Sequence, residues 1–243
     1  MKVLLTIAAL ALFVPFQDRI QGQVIAVPNG SFEMPVYSDG SGLLTVSSGI
    51  FDGWNFTDAA AGQFGIINPD DSRFPGTSGA SGFLPSPADG LQYGVLGTAA
   101  GETASITNVS PLATIGNTTT YTLSVAVGNE TALNYSSFMG TLQIALLANS
   151  TVISSNSIAY STIPHGEFEL LSTSFSSNSE PFTVGEALNI QIAYTAGPKF
   201  GDNGIFDNVQ LSAVPEPNTS FLFFIGLIFV LMFYRKAKAL KSA

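Results

Sequence analysis

The chain has no cysteine, one histidine (His165) and one tryptophan (Trp54) in 243 residues. Without cysteine there is no disulfide framework and no thiolate nucleophile, so a domain of this size is held by burial or by a metal. A lone histidine leaves no imidazole-rich metal site of the zinc kind. Charge is scarce too, since Asp, Glu, Lys and Arg make up 10% of the chain, with 17 acidic against 8 basic residues. Between residues 27 and 212 the only basic residues are Arg73 and Lys199, while every acidic residue except Asp18 and Glu216 falls there. A body so acidic is a poor partner for nucleic acid or anionic lipid, whose phosphates are met by Lys and Arg.

The basic residues that the body lacks sit at the two ends. Lys2 precedes an apolar stretch at 3–16 with Pro15 near its end, the layout of a secretory signal peptide; cleavage after Gly22 or after Ala26 suits the small-residue rule, and Gly22 is preferred, which gives a peptide of residues 1–22. At the other end a linker at 213–220 carries Pro215-Glu216-Pro217, then an apolar run at 221–234, then a basic tail at 235–243 with Arg235, Lys236 and Lys238. At about 1.5 Å per residue the run reaches roughly 21 Å as a helix, short of a ~30 Å hydrocarbon core but spannable with snorkelling flanks. It has no polar face to show water, and the cations after it would stay cytoplasmic, which places the body outside.

The order of triplet, apolar segment and basic terminus resembles a PEP-CTERM sorting signal, the substrate tail of bacterial exosortases. The resemblance covers about residues 213–241. It implies transient membrane anchoring through the C-terminal helix, processing at or near Pro215-Glu216-Pro217 by an exosortase-like enzyme, and delivery to the cell surface or extracellular matrix. A glycolipid-anchor signal has a similar order of parts, but such tails end apolar. Eight Asn-x-Ser/Thr sequons, beginning with Asn29, are read as a by-product of a surface rich in Asn, Ser and Thr and not as modification sites.

The body, 27–212, reads as strands. Residues 121–127 alternate strictly, with Tyr121, Leu123, Val125 and Val127 on one face. The same period recurs at 142–146 and 188–194, with Gly and Asn turns between runs. Further strands are expected near 43–46, 92–96, 103–109, 151–159, 167–175 and 205–211. With no helical crossovers the pairing must be antiparallel, and an all-β sandwich of jelly-roll type fits best. The segment 58–89, rich in Gly, Ser, Pro and Asp, is read as long surface loops that offer Asp70, Asp71, Arg73 and Phe74 for ligand contact.

Two distant motifs, Pro28-Asn29-Gly30-Ser31-Phe32-Glu33 and Gly204-Ile205-Phe206-Asp207-Asn208-Val209, resemble the first and last strands of galactose-binding-like jelly rolls, including carbohydrate-binding modules. The resemblance implies a structural calcium between those strands with Glu33 and Asp207 as ligands, a sensible pair because calcium takes hard oxygens. Each carboxylate could instead bond turn backbone. Trp54 and Tyr93 are candidate platforms for sugar rings, although most aromatics in sandwiches fill the core. Ile163-Pro164-His165-Gly166 reads as a turn, and no Gly-x-Ser-x-Gly elbow surrounds a serine. The expectation is therefore a non-catalytic structural or binding protein of the cell surface or matrix. A module for extracellular polysaccharide is the alternative, and a secreted glycoside or ester hydrolase a third reading.

Overall fold

The computed structural model describes residues 22–216 except 47–48, 59–61, 76, 78–82, 131–139, 179–182 and 198–202, together with Gly226 and Ile228. Fourteen strands run through these residues: β1 (Gln23–Ile25), β2 (Ser41–Val46), β3 (Gly49–Phe51), β4 (Trp54–Asp58), β5 (Gln63–Asn68), β6 (Tyr93–Gly97), β7 (Thr103–Asn108), β8 (Ala113–Thr114), β9 (Thr119–Asn129), β10 (Thr141–Ala148), β11 (Thr151–Ala159), β12 (Glu167–Ser176), β13 (Ala187–Thr195) and β14 (Asn203–Pro215). Helix is almost absent from the body, where a 3-10 turn, Tyr160–Thr162, joins β11 to β12.

The strands form two sheets. One has the order β12-β9-β14-β6-β5-β2 with β1 also paired to β14, and the other has the order β11-β10-β13-β7-β4-β3 with β8 paired to β13. Neighbouring strands such as β9 and β12, or β10 and β13, are antiparallel, so the all-β antiparallel sandwich expected from the alternating runs is what forms. In β9 the residues Tyr121, Leu123, Val125 and Val127 are buried, as the period demands. Between the sheets Phe32 stacks on Trp54 at 5.8 Å and meets Phe206 edge-on at 5.1 Å, while Phe56 and Phe64 continue the aromatic layer. Trp54 is 1% exposed, which removes it from sugar stacking.

The reading of 58–89 as solvated loops is corrected. Strand β5 lies inside that segment, and its Phe64-Gly65-Ile66-Ile67 run is buried throughout. A strand covered on both faces shows a continuous apolar run where a half-buried one alternates, so a search for period two passes over it. Beyond β5 the segment folds back on the sheet, burying Phe74, Thr77 and Leu84.

No helix among the described residues is long and apolar enough to cross a membrane. The expected span at 221–234 lies outside the described residues except for Gly226 and Ile228, as do Pro217, Arg235, Lys236, Lys238 and residues 1–21 of the expected signal peptide. Pro215 ends β14 and Glu216 follows it.

Candidate active site

The two faces of the first sheet are unequal. Gly94 in β6 opposes Phe206 in β14, and a Cβ on Gly94 would lie 2.7 Å from the Phe206 ring, so that face looks into the sandwich. By alternation Tyr93, Val95 and Gly97 look outward, yet all five residues of β6 are buried. The segment after β5 covers this outer face in part. Phe74 is fully buried there, with its ring 5.6 Å from Tyr93 and stacked at 4.8 Å on Phe168 of β12. Phe168 can lie flat because its register partner is Gly128, where a Cβ would come within 2.5 Å of the ring.

Against these rings sits a polar network. Arg73 Nη1 donates to Glu130 Oε1 at 2.8 Å, and Tyr93 Oη donates a short hydrogen bond to the same oxygen. Arg73 Nη1 also lies 3.3 Å from Tyr93 Oη. Glu130 follows directly on β9, and its main chain is clamped. Asn129 Nδ2 donates to the carbonyls of Tyr160 and Ile163, Gly166 N donates to Asn129 O, and His165 Nδ1 lies 3.1 Å from Glu130 O. This contact is the one His165 makes among the described residues, where no serine joins it in a catalytic triad.

Burial drives the Tyr93 hydroxyl well above its ordinary range, and the Glu130 carboxylate adds to the rise, so the phenol stays a donor. Burial by itself would lower the Arg73 guanidinium, but Tyr93 and Glu130 outweigh it and leave the pKa above its ordinary value. Both donors converge on Oε1, and the Glu130 side chain keeps 11% exposure. Oε2 is thus the oxygen that no described residue engages. An anchored carboxylate of this kind can accept a hydrogen bond, stabilise a developing positive charge or take a proton.

A second polar cluster lies where the 84–92 loop meets β14. Glu33 Oε1 accepts the N–H groups of Leu91 and Gln92, each at 2.8 Å. Gly90, at φ +65°, makes this approach feasible, since a Cβ there would fall 2.1 Å from Glu33 Oε1. Asp207 Oδ2 accepts the N–H of Asp89 at 2.8 Å, whereas its buried Oδ1 has no hydrogen-bond partner. Burial raises the Asp207 carboxyl, and the charges of Asp89 and Glu33 raise it further against the N–H groups of Asp89 and Asn208, to about 9. Burial likewise raises Glu33 and Asp89. No three His, Cys, Asp or Glu side chains among the described residues converge as a metal-holding group.

Of the candidates picked from the sequence, the loop residue Arg73 and the expected aromatic platform Tyr93 meet in the first network. Asp70 and Asp71 make no hydrogen bond to it that is described: Asp70, half-buried, accepts from Ser72 N and Oγ in its own turn, and Asp71 is exposed. Glu130 was missed. Its signal in the sequence was weak: an acidic residue directly after an otherwise buried strand, in a chain with few charges.

The fold and site therefore define a two-sheet sandwich with a buried carboxylate and tyrosine, and a part-exposed arginine, on one outer face. The model of the HpiC1-like cyclase family matches residues 23–212, and the chain belongs to that family. Among solved structures, a Stig cyclase from Fischerella sp. TAU in complex with (3Z)-3-(1-methyl-2-pyrrolidinylidene)-3H-indole aligns with a TM-score of 0.64. It shares 21% identity over 81% of this chain and 100% of its own. A cyclase from Fischerella sp. TAU in complex with 4-(1H-indol-3-yl)butan-2-one aligns with a TM-score of 0.61, also at 21% identity over 81% of this chain and 100% of its own. A carbohydrate-binding module of the β-sandwich superfamily aligns at a TM-score of 0.42, with 11% identity over 65% of this chain and 56% of its own. No curated protein matches the chain in sequence.

Family membership overturns the expectation of a non-catalytic structural or binding protein, because the family is one of cyclases. The carbohydrate-binding and hydrolase alternatives fall with it. The expected partners are corrected in the same way. The cyclases of like fold are seen with small indole molecules and not with a membrane, an exosortase-like enzyme or a polysaccharide. The chain has no cysteine, no histidine cluster and no serine elbow, so no short motif in it announced a cyclase.

Proposed function

We propose that the protein is a cyclase that closes a ring within one small aromatic molecule, using the outer face of the first sheet around Tyr93, Glu130 and Arg73. The observation that carries this is the Glu130 carboxylate, held on one oxygen by the buried Tyr93 hydroxyl and the half-exposed Arg73 guanidinium, with no described donor on the other, in a domain of the cyclase family. Ring closure by an electron-rich ring puts positive charge on that ring as the carbon–carbon bond forms. A fixed carboxylate stabilises that charge and accepts the proton released when aromaticity returns. A proton taken up at the electrophile balances the one lost, so substrate and product are isomers. The walls, Phe74 and Phe168 among them, hold a flexible molecule folded for reaction.

The test uses the full chain with 4-(1H-indol-3-yl)butan-2-one as probe, titrated by calorimetry. Saturable one-to-one binding is expected, with candidate substrates giving products of unchanged mass and altered retention. A protein that binds no small indole and isomerises none has a different function.

Two further readings belong to this proposal. The sandwich is of jelly-roll type, and Glu33 and Asp207 would share a calcium ion whose coordination backbone carbonyls complete. The support is the buried Oδ1 of Asp207, which has no hydrogen-bond partner. The ion would tie the segment at Glu33 to β14, a structural and not a chemical contribution. The protein is also exported, a reading supported by the apolar stretch at 3–16 and by a family match that starts at residue 23. Intact mass of the product released by its host, expected to begin at Gln23, tests export, and a cell-retained product still carrying residues 1–22 would refute it.

A further inference from the structure

We propose that the edge of β12 at residues 168–170 is a docking site for an extended peptide strand of another protein, one that alternates cationic and apolar residues and adds to the first sheet beside β12. The inference goes beyond the cyclase reading and does not depend on it.

Strand β12 ends its sheet, with β9 on one side and no described strand on the other. The register fixes which of its backbone groups look outward. Ser177, just past β12, donates its N–H to Thr119 O at the start of β9, whereas Ser172 O and Ser174 O accept side-chain donors from β11. Odd-numbered residues therefore bond β9, and even-numbered ones face away from it. Asn156 Nδ2 on Ser172 O and Ser154 Oγ on Ser174 O, each at 2.8 Å, close one half of the outward edge. In the other half the outward N–H and C=O groups of Phe168 and Leu170 meet no described partner, and the Leu170 side chain is 58% exposed. Unmet backbone groups beside an exposed leucine form a template on which another strand can pair.

Charge selects the occupant. Glu167 is exposed and Glu169 half-buried along the open half, and Arg73, the only Lys or Arg among the described residues, is taken up by Glu130. A second copy of this chain would have to pair over the same open residues, because the half at 172–174 is closed, and would bring the Glu167 and Glu169 carboxylates of both chains together. A foreign strand with Lys or Arg opposite those two glutamates, and apolar side chains opposite Phe168 and Leu170, instead gains cross-strand ion pairs and covers the exposed leucine.

The experiment titrates the full chain by calorimetry with acetyl-Lys-Val-Lys-Val-Lys-Val-amide and with the same peptide N-methylated at its valines, which keeps the charge and removes the N–H groups that would bond β12. The unmodified peptide is expected to bind one-to-one and at least about tenfold more tightly than the N-methylated one. Glu167→Lys combined with Glu169→Lys should weaken it by roughly tenfold, with circular dichroism checking the fold. If that variant fails to fold, the two wild-type titrations decide alone. Equal binding of the two peptides would mean attraction by charge only and overturn the inference, as would binding of neither. A dimer of the chain that the peptide disperses would put a second copy on this edge and overturn the choice of occupant.

Discussion

Replacing Tyr93 by Phe removes one oxygen from the centre of the network and leaves every ring contact in place. Tyr93 is fully buried, so water cannot substitute for the lost hydroxyl, and the bond it gives up is made to a charged carboxylate. Hydrogen bonds of that kind contribute about 1.5–3 kcal/mol, so a loss of about 2 kcal/mol is expected. The ion pair is a different case. The Arg73 side chain is 42% exposed, and solvent screens its attraction to Glu130 enough that Arg73→Met should cost about 1 kcal/mol or less. Urea denaturation at pH 7 separates the two. With a slope of about 2 kcal/mol per molar, Tyr93→Phe should lower the midpoint by about 1 M and Arg73→Met by half that or less. In a Glu130→Gln background the Tyr93→Phe cost should fall below half, since the charged acceptor is gone. An Arg73→Met cost larger than that of Tyr93→Phe, or an equal Tyr93→Phe cost in both backgrounds, would refute the assignment of Tyr93 as the donor that holds the carboxylate.

The Gly128→Ala change should cost about 1–3 kcal/mol, because the new methyl meets the Phe168 ring at 2.5 Å and displaces it from Phe74. Thermal melts should show a smaller cost in a Phe168→Leu background, and an undiminished cost would mean the strain lies elsewhere. The acid cluster predicts a pH dependence of known sign. Asp207 is raised to about 9 from an ordinary 3.8, so between those values the folded chain keeps a proton that the unfolded chain has lost. Stability measured in EDTA should therefore fall as pH rises through that window, by at most about 1.4 kcal/mol per unit. The Asp207→Asn change should flatten the profile, and calcium should restore stability to the wild type at high pH by binding the ionised carboxylates. Indifference to both EDTA and calcium across that range would count against the ion, and a profile that rises with pH in EDTA would contradict the neutral Asp207.

How much of this was legible in the chain depends on how far apart the interacting residues lie. Strand β9 announced itself because its Tyr121, Leu123, Val125 and Val127 face a core while Thr122 and Ser124 between them are only half-buried. Strand β5 did not, because both of its faces are covered and its run has no period. The site was harder still. The contacts of Arg73 with Tyr93, Tyr93 with Glu130 and Arg73 with Glu130 span 20, 37 and 57 residues, and no spacing rule joins a loop arginine to the end of a distant strand. Glu33 and Asp207 were paired in advance because the first and last strands of such sandwiches run close together. The network they share with Asp89, with the Asp207 oxygen that lacks a partner, came from the fold.

The sequence by itself determined the all-β class, the antiparallel pairing and the acidic, cysteine-free character of the body. Those follow from local periodicity and composition, which act residue by residue. Only the tertiary structure decided which outer face is covered, which carboxylate is buried beside a phenol and a guanidinium, and which of its oxygens is left open. Those properties depend on desolvation and on donors brought together from segments remote in the chain, and neither is a property of any stretch of sequence taken alone.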